Sequence, residues 1–287
     1  MVSLSVNMIF RNEEPVVKKV LDNIFQQIDD DTEVILIDNM SRDRTFDILK
    51  SYERDNVIVD RYNGPKGGAR NKALTLSHGK YILCLDGDQI YYNLQKLIDE
   101  YLNNYSNYGL KVGKSSFPIL APRELLLKVG GWRNLVHIED WDLWFRLTDS
   151  CKFLYLANKD YIFGKHMRDH KKHHTKWQTA KGLIERYRDW TLTGLPGYPV
   201  RNDPKVIPFY IIGKLLVIPK YKMLAHYKCT KILKDDLPKE FQGIDWDLKR
   251  FYNLLKYEKI YCNDPIFDKA MKIFEEKYAK KPEASFR

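Results

Sequence analysis

Three short runs in the first hundred residues, Leu4–Phe10, Glu33–Asp38 and Tyr81–Leu85, are apolar almost without interruption. A strand with one wet face alternates apolar and polar residues, whereas an unbroken apolar run needs cover on both faces. Helical patterns stand between the runs. One starts at Pro15 and reaches about Gln27. A second opens at Ser41-Arg42-Asp43-Arg44-Thr45, where hydroxyl and carboxylate side chains suit a helix start. Val57–Arg61 reads as a further short strand, and the glycine-rich turn Gly64–Gly68 leads into a helix through about Ser77. Strands alternating with helices in this way predict an α/β fold with a mainly parallel sheet covered on both sides. Such sheets bind ligands at the carboxyl ends of their strands. Asp38 and Asp86 both fall at strand ends, so one cleft is expected to collect them.

From about Phe117 the elements shorten, with a tight Gly130-Gly131-Trp132 turn and a helix carrying Glu139-Asp140-Trp141-Asp142. Beyond residue 165 the periodicity is helical and broken by prolines. This divides the chain into 1–165 as a catalytic α/β domain and 166–287 as a mainly helical extension. A chain of 287 residues with 44% hydrophobic and 30% charged residues has enough apolar material for a large core, which excludes wholesale disorder.

The net charge of +10 is uneven. Residues 1–150 hold 19 Lys/Arg against 22 Asp/Glu, and residues 151–287 hold 29 against 16. A basic half of this kind suits a polyanionic surface, either an anionic membrane or nucleic acid, but no nucleic-acid-binding motif accompanies it. Val206–Pro219, followed by Lys220, Tyr221 and Lys222, mixes apolar, aromatic and basic residues and is too short and interrupted to span a bilayer. It suits peripheral membrane docking or packing within a helical subdomain. The four cysteines are widely separated and form no C-x-x-C pair, so a reducing cytoplasm is the expected compartment, with peripheral membrane association.

Asp86-Gly87-Asp88 is the sharpest local signal. Two carboxylates one residue apart at a strand end leave room for a hard, oxygen-loving cation, Mg²⁺ or Mn²⁺, with open positions for phosphate oxygens. Paired aspartates and a glycine-rich turn would also serve a nucleotidyltransferase, which has no need of Asp140 behind Gly-Gly-Trp. His166, His170, His173 and His174 lie together on the basic stretch Lys165–Lys176. Trp141 and Trp144, at helical spacing, are expected in the core, while Trp132 on its turn is the aromatic candidate for acceptor contact.

Taken in order, Phe10-Arg11-Asn12-Glu13, Ile37–Thr45, Gly67-Gly68-Ala69-Arg70-Asn71, Gly79–Asp88, Gly130-Gly131-Trp132 and Glu139–Trp144 closely resemble the family 2 glycosyltransferases of GT-A fold. The resemblance covers about residues 3–150. It implies a Rossmann-like, mainly parallel mixed sheet flanked by helices. The activity it implies is inverting transfer of a sugar from a UDP- or GDP-linked donor to a carbohydrate or lipid-linked acceptor. It assigns Phe10, Asn12, Glu13, Asp38, Gly67, Arg70 and Asp86 to the nucleotide-sugar, with Lys66 assisting Arg70 at the diphosphate. Asp88 and Asp86 go to the metal, with His166 as a further ligand by position. Asp140 takes the role of catalytic base, and Glu139 joins Trp132 on the acceptor side. Two departures stand out: Ile9 and Phe10 replace the usual proline and hydroxyl residue, and the Asp88–Asp140 separation is short for the family.

Overall fold

In this computed structural model the described residues are 3–112, 118–150, 152–156, 165–167, 176–193, 205 and 207–217. The N-terminal half alternates β1 (Leu4–Phe10), α1 (Val17–Phe25), β2 (Glu33–Asp38), α2 (Thr45–Lys50), β3 (Val57–Arg61), α3 (Lys66–Leu76) and β4 (Tyr81–Asp86). Then come β5 (Gln89–Ile90), α4 (Leu94–Asn104), β6 (Gly109–Val112), β7 (Ile119–Pro122), α5 (Arg123–Lys128), α6 (Glu139–Asp149), β8 (Phe153–Leu156) and β9 (Lys165–His166). Two further helices, α7 (Lys176–Thr193) and α8 (Ile207–Leu215), pack against each other.

The main sheet has seven strands in the order β3-β2-β1-β4-β7-β6-β8. Strands β1 to β4 are mutually parallel, β7 runs antiparallel to both β4 and β6, and β8 is parallel to β6. The sheet is thus the mixed α/β sheet expected of a GT-A fold. Both faces are covered, which explains the unbroken apolar runs. In β2, Val34 and Leu36 enter one core with α1 and α4, while Ile35 and Ile37 enter another with Ala69 and Ala73 of α3. In β4, Leu83 and Leu85 join the first core, and Ile82 and Cys84 join a cluster that includes Leu143 and Trp144 of α6.

The helix expected to open at Ser41 starts at Thr45. The segment before it is drawn off by side-chain bonds: Asp43 accepts the Thr45 N–H at 3.0 Å, and Ser41 Oγ accepts the Asn12 N–H at 2.9 Å. Serine and aspartate compete with helical hydrogen bonding in this way. Register brings the site together. Phe10 pairs with Asp38 and Ile9 with Asp86, so β1, β2 and β4 end at one edge of the sheet.

Candidate active site

At that edge lies a cleft of about 640 Å³, a size typical of small-molecule sites. Phe10, Glu13 and Asn39 line one part of it. The loops after β1 and β2 are interlocked. Asn12, in the left-handed region at φ 57, accepts the Arg42 N–H through its side-chain oxygen at 2.8 Å. Thr45 Oγ1 accepts the Glu13 N–H at 2.7 Å. Asn12 therefore braces the loops and is not among the cleft-lining residues. Asp38 is fully buried: it accepts the Ser41 N–H at 3.2 Å and the Arg61 Nε–H at 3.0 Å. Asp38, assigned to the nucleotide by the resemblance, is thus engaged by partners within the fold. Asn39 lines the cleft, because adjacent residues at a strand end point to opposite sides.

Gly87 lets the chain leaving β4 pass close against the end of β1. A Cβ there would stand 2.5 Å from the Phe10 ring and 2.6 Å from the Ile9 carbonyl oxygen. Asp86 and Asp88 flank it at the cleft. The two oxygens of Asp86 are held by Arg70 Nη2 at 2.9 Å and Gln89 Nε2 at 3.0 Å. Arg70 is expected from the sequence to face a diphosphate. Instead its side chain is only 2% exposed, with Nε 3.5 Å from Asp140 Oδ1 and 3.7 Å from Glu139 Oε1. It is the buried counter-charge of three carboxylates, which its rigid, permanently charged fork suits. The cation that α3 does present to the cleft is Lys66, whose Nζ lies 3.1 Å from Glu139 Oε1. Gly67 does not line the cleft. It runs so close under the loop before α6 that a Cβ would sit 2.0 Å from the Arg133 carbonyl oxygen.

Burial pushes the Asp140 carboxyl up to about 7, reinforced by the Glu139 charge and opposed by Arg70 and Lys66. Trp132, expected to offer its face to an acceptor, is only 2% exposed and donates its indole N–H to Asp140 Oδ1 at 3.3 Å. Glu139 is likewise buried, tied to Lys66 and Arg70. Neither side chain is thus exposed towards an acceptor: Trp132 bonds to Asp140, and Glu139 pairs with Lys66 and Arg70. The sequence reading missed the clamp that aims them. Arg146 donates to the carbonyls of Val129 and Gly131 and to Asp142 Oδ2, and Asp142 Oδ1 takes Arg133 at 2.9 Å. An arginine seven residues after Glu139, on the same face of α6, is the signal that could have found it. Trp141 and Trp144 lie 5.3 Å apart, and Trp144 belongs to the core as expected.

Residues 5–121 match the family model described as Glycosyl transferase family 2. These residues are a family 2 glycosyltransferase domain. Among curated relatives, the poly(ribitol-phosphate) beta-glucosyltransferase of Bacillus spizizenii is 34% identical over 84 residues, which are 27% of this chain and 13% of that protein. The UDP-Glc:alpha-D-GlcNAc-diphosphoundecaprenol beta-1,3-glucosyltransferase WfaP of Escherichia coli is 34% identical over 89 residues, 28% of this chain and 35% of WfaP. The matched segment thus spans well under two thirds of either relative. Among solved structures, S. aureus TarS 1-349 in complex with UDP-GlcNAc superposes with a TM-score of 0.55 at 14% identity, covering 96% of this chain and 89% of that one. The mannosyltransferase PcManGT from Pyrobaculum calidifontis, in complex with GDP-Man and Mn2+, gives 0.51 at 14% identity, covering 97% and 88%. At such identities these two establish the fold.

In the family 2 domain the residues suited to a divalent cation are Asp88 and Asp86. Among the described residues no three His, Cys, Asp or Glu side chains stand close enough to cage an ion. That donor set fits a hard cation sharing its remaining positions with phosphate oxygens. The two-stranded β5–β9 ladder brings position 166 alongside: His166 pairs with Gln89, and the Met167 N–H bonds to the Asp88 carbonyl at 2.8 Å. Backbone register therefore sets His166 next to the aspartates, while His170, His173 and His174 lie outside the described residues. Beyond the family match, α7 also reaches the cleft, through Lys181 and Glu185.

Proposed function

We propose that the chain is an inverting glycosyltransferase that moves a sugar from a nucleotide diphosphate donor to an acceptor hydroxyl, with Asp140 as the base. The observation that carries this reading is Asp140, buried and raised to about 7, which Arg70 joins to Asp86, the member of the aspartate pair that lines the cleft. A general base needs a pKa near the working pH, and burial moves this carboxyl in that direction. Asp140 takes the acceptor proton as the acceptor oxygen bonds to the anomeric carbon. The bond from that carbon to the diphosphate breaks on the opposite side. Trp132 and Arg70 keep the carboxylate aimed during the transfer, and Glu13 and Asn39 hold the nucleotide. A bound Mg²⁺ or Mn²⁺ on Asp88 and Asp86 supplies positive charge for the leaving diphosphate. The TarS structure is a complex with UDP-GlcNAc and the PcManGT structure a complex with GDP-Man and Mn2+, which supports a UDP- or GDP-linked donor and this choice of metal.

A panel of UDP- and GDP-sugars with Mn²⁺ or Mg²⁺, read by release of nucleoside diphosphate and by thermal stabilisation, tests the reading. Release of nucleoside diphosphate together with formation of a glycosylated acceptor of inverted anomeric configuration supports it. Pyrophosphate release, or no donor bound under either metal, rejects it.

The acceptor we propose is lipid-linked, as WfaP's name states for that relative. The observation favouring this is the outer face of α8. Tyr210 stacks edge-on against Tyr187 of α7, while Ile207, Ile211, Ile212, Leu215 and Leu216 on the other side are exposed, Leu215 by 81%. No helix among the described residues is long and apolar enough to cross a membrane. An apolar stripe beside lysines suits the interface of an anionic bilayer. Flotation with phosphatidylglycerol liposomes checks this: salt-sensitive co-flotation lost in Ile211→Ser/Leu215→Ser is expected, and no co-flotation of the unaltered chain counts against it.

A further inference from the structure

The wall of the cleft formed by α7 lies outside the residues matched to the family. Lys181, Glu185 and Asp189 are spaced four apart and so share one face of the helix. Asp189, fully buried, anchors that face: its Oδ2 accepts the N–H groups of Val136 at 2.7 Å and His137 at 3.1 Å. One turn towards the helix start, Glu185 Oε2 lies 3.3 Å from His137 Nε2. A turn further, Lys181 reaches the cleft with its side chain 63% exposed. The segment these residues grip, Val136-His137, leads directly into α6 and Asp140. The backbone that carries Lys181 is thereby tied to the segment before α6, while its side chain stays exposed.

Among the described residues, three cationic side chains line the cleft: Arg11, Lys66 and Lys181. Arg11 follows β1 at the nucleotide end, and Lys66 is engaged by Glu139 at 3.1 Å. Lys181 meets Glu185 Oε1 only at 3.9 Å, an exposed pair of little strength that yields readily to a ligand. A lysine ammonium is a compact charge with three donors, well matched to phosphate oxygens. We propose that Lys181 receives a phosphate group of a substrate bound against the α7 wall of the cleft, on a helix that Asp189 and Glu185 hold in place. Under the glycosyltransferase reading, on which this rests, the phosphate belongs to the acceptor. The distal phosphate of the donor shares the same chemistry.

Glycerol phosphate is the probe, titrated calorimetrically into the full chain alone and into the chain saturated with UDP and Mn²⁺. Lys181→Ala is expected to weaken glycerol phosphate about tenfold, Lys181→Glu to abolish binding, and Lys181→Arg to restore it to within about threefold, with UDP affinity changed less than about twofold. A tenfold loss of UDP affinity in Lys181→Ala, with UDP excluding glycerol phosphate, supports the phosphate site and assigns the phosphate to the donor. Equal affinity of the unaltered chain and Lys181→Ala for both ligands, or no glycerol phosphate binding to the unaltered chain, overturns the proposal. Failure of UDP to bind the unaltered chain rejects the glycosyltransferase reading instead, and the glycerol phosphate comparison is still read on the chain alone.

Discussion

Trp132 directs its indole N–H at Asp140 Oδ1 from 3.3 Å away, so the Gly-Gly-Trp turn and the acidic start of α6 act as one unit. Removing the donor while keeping the ring tests this relationship. Trp132→Phe is expected to lower kcat about tenfold and leave the KM for donor near its original value, because a hydrogen bond to a charged group is lost without loss of bulk. Steady-state kinetics with the donor found in the panel give both numbers.

Asp140→Asn retains the shape of the base without its proton affinity. Transfer is expected to fall at least about 100-fold while UDP binding stays within about twofold, as measured by single-turnover transfer and by calorimetry. Equal loss of both contradicts the assignment of the base.

The raised pKa of Asp140 also gives stability a direction with pH. The native carboxyl holds its proton up to about 7, whereas an unfolded aspartate releases it near the ordinary value of 3.8. Between those values the native state binds more protons, so this group's contribution to stability is full at low pH and is lost as pH rises through about 7. Melting in metal-free buffer is therefore expected to show Asp140→Asn gaining on the unaltered chain from pH 5 to pH 8, by on the order of 1 kcal/mol or more. A constant difference across that range would show that Asp140 titrates normally.

Arg146 ties the Val129–Gly131 turn to Asp142, and both Arg146 and Asp142 are buried. Arg146→Met leaves the Asp142 carboxylate short of a counter-charge and is expected to cost about 3–5 kcal/mol in denaturant unfolding. Arg146→Lys is expected to recover only part of this, since one ammonium cannot reach two carbonyls and a carboxylate together.

Gly67→Ala places a methyl group against the Arg133 carbonyl, which belongs to backbone and cannot swing aside. The expected cost is about 1–3 kcal/mol, together with lost transfer as α3 shifts Lys66 and Arg70 relative to Asp140. Thermal melting and the donor assay read the two effects separately.

Local order was legible in the chain. Strands β1, β2 and β3 fall on the runs read from the sequence, because apolar continuity and turn residues are properties of neighbouring residues. The paired aspartates at the end of β4, the glycine between them and the Glu139-Asp140 start of α6 could be read in the same way. Tertiary structure decided what these residues face. Asp38 and Asn39 differ by one position, and only the packing of Arg61 and Ser41 around Asp38 turns Asn39 to the cleft. Arg70, Asp86 and Asp140 come from α3, β4 and α6, so their ion pairs depend on how those elements pack across the sheet. Trp132 and Glu139 moved from expected acceptor contacts to buried positions for the same reason. A sequence position specifies a side chain's chemistry, and the direction in which it acts is set by neighbours that are distant in the chain and meet only on folding.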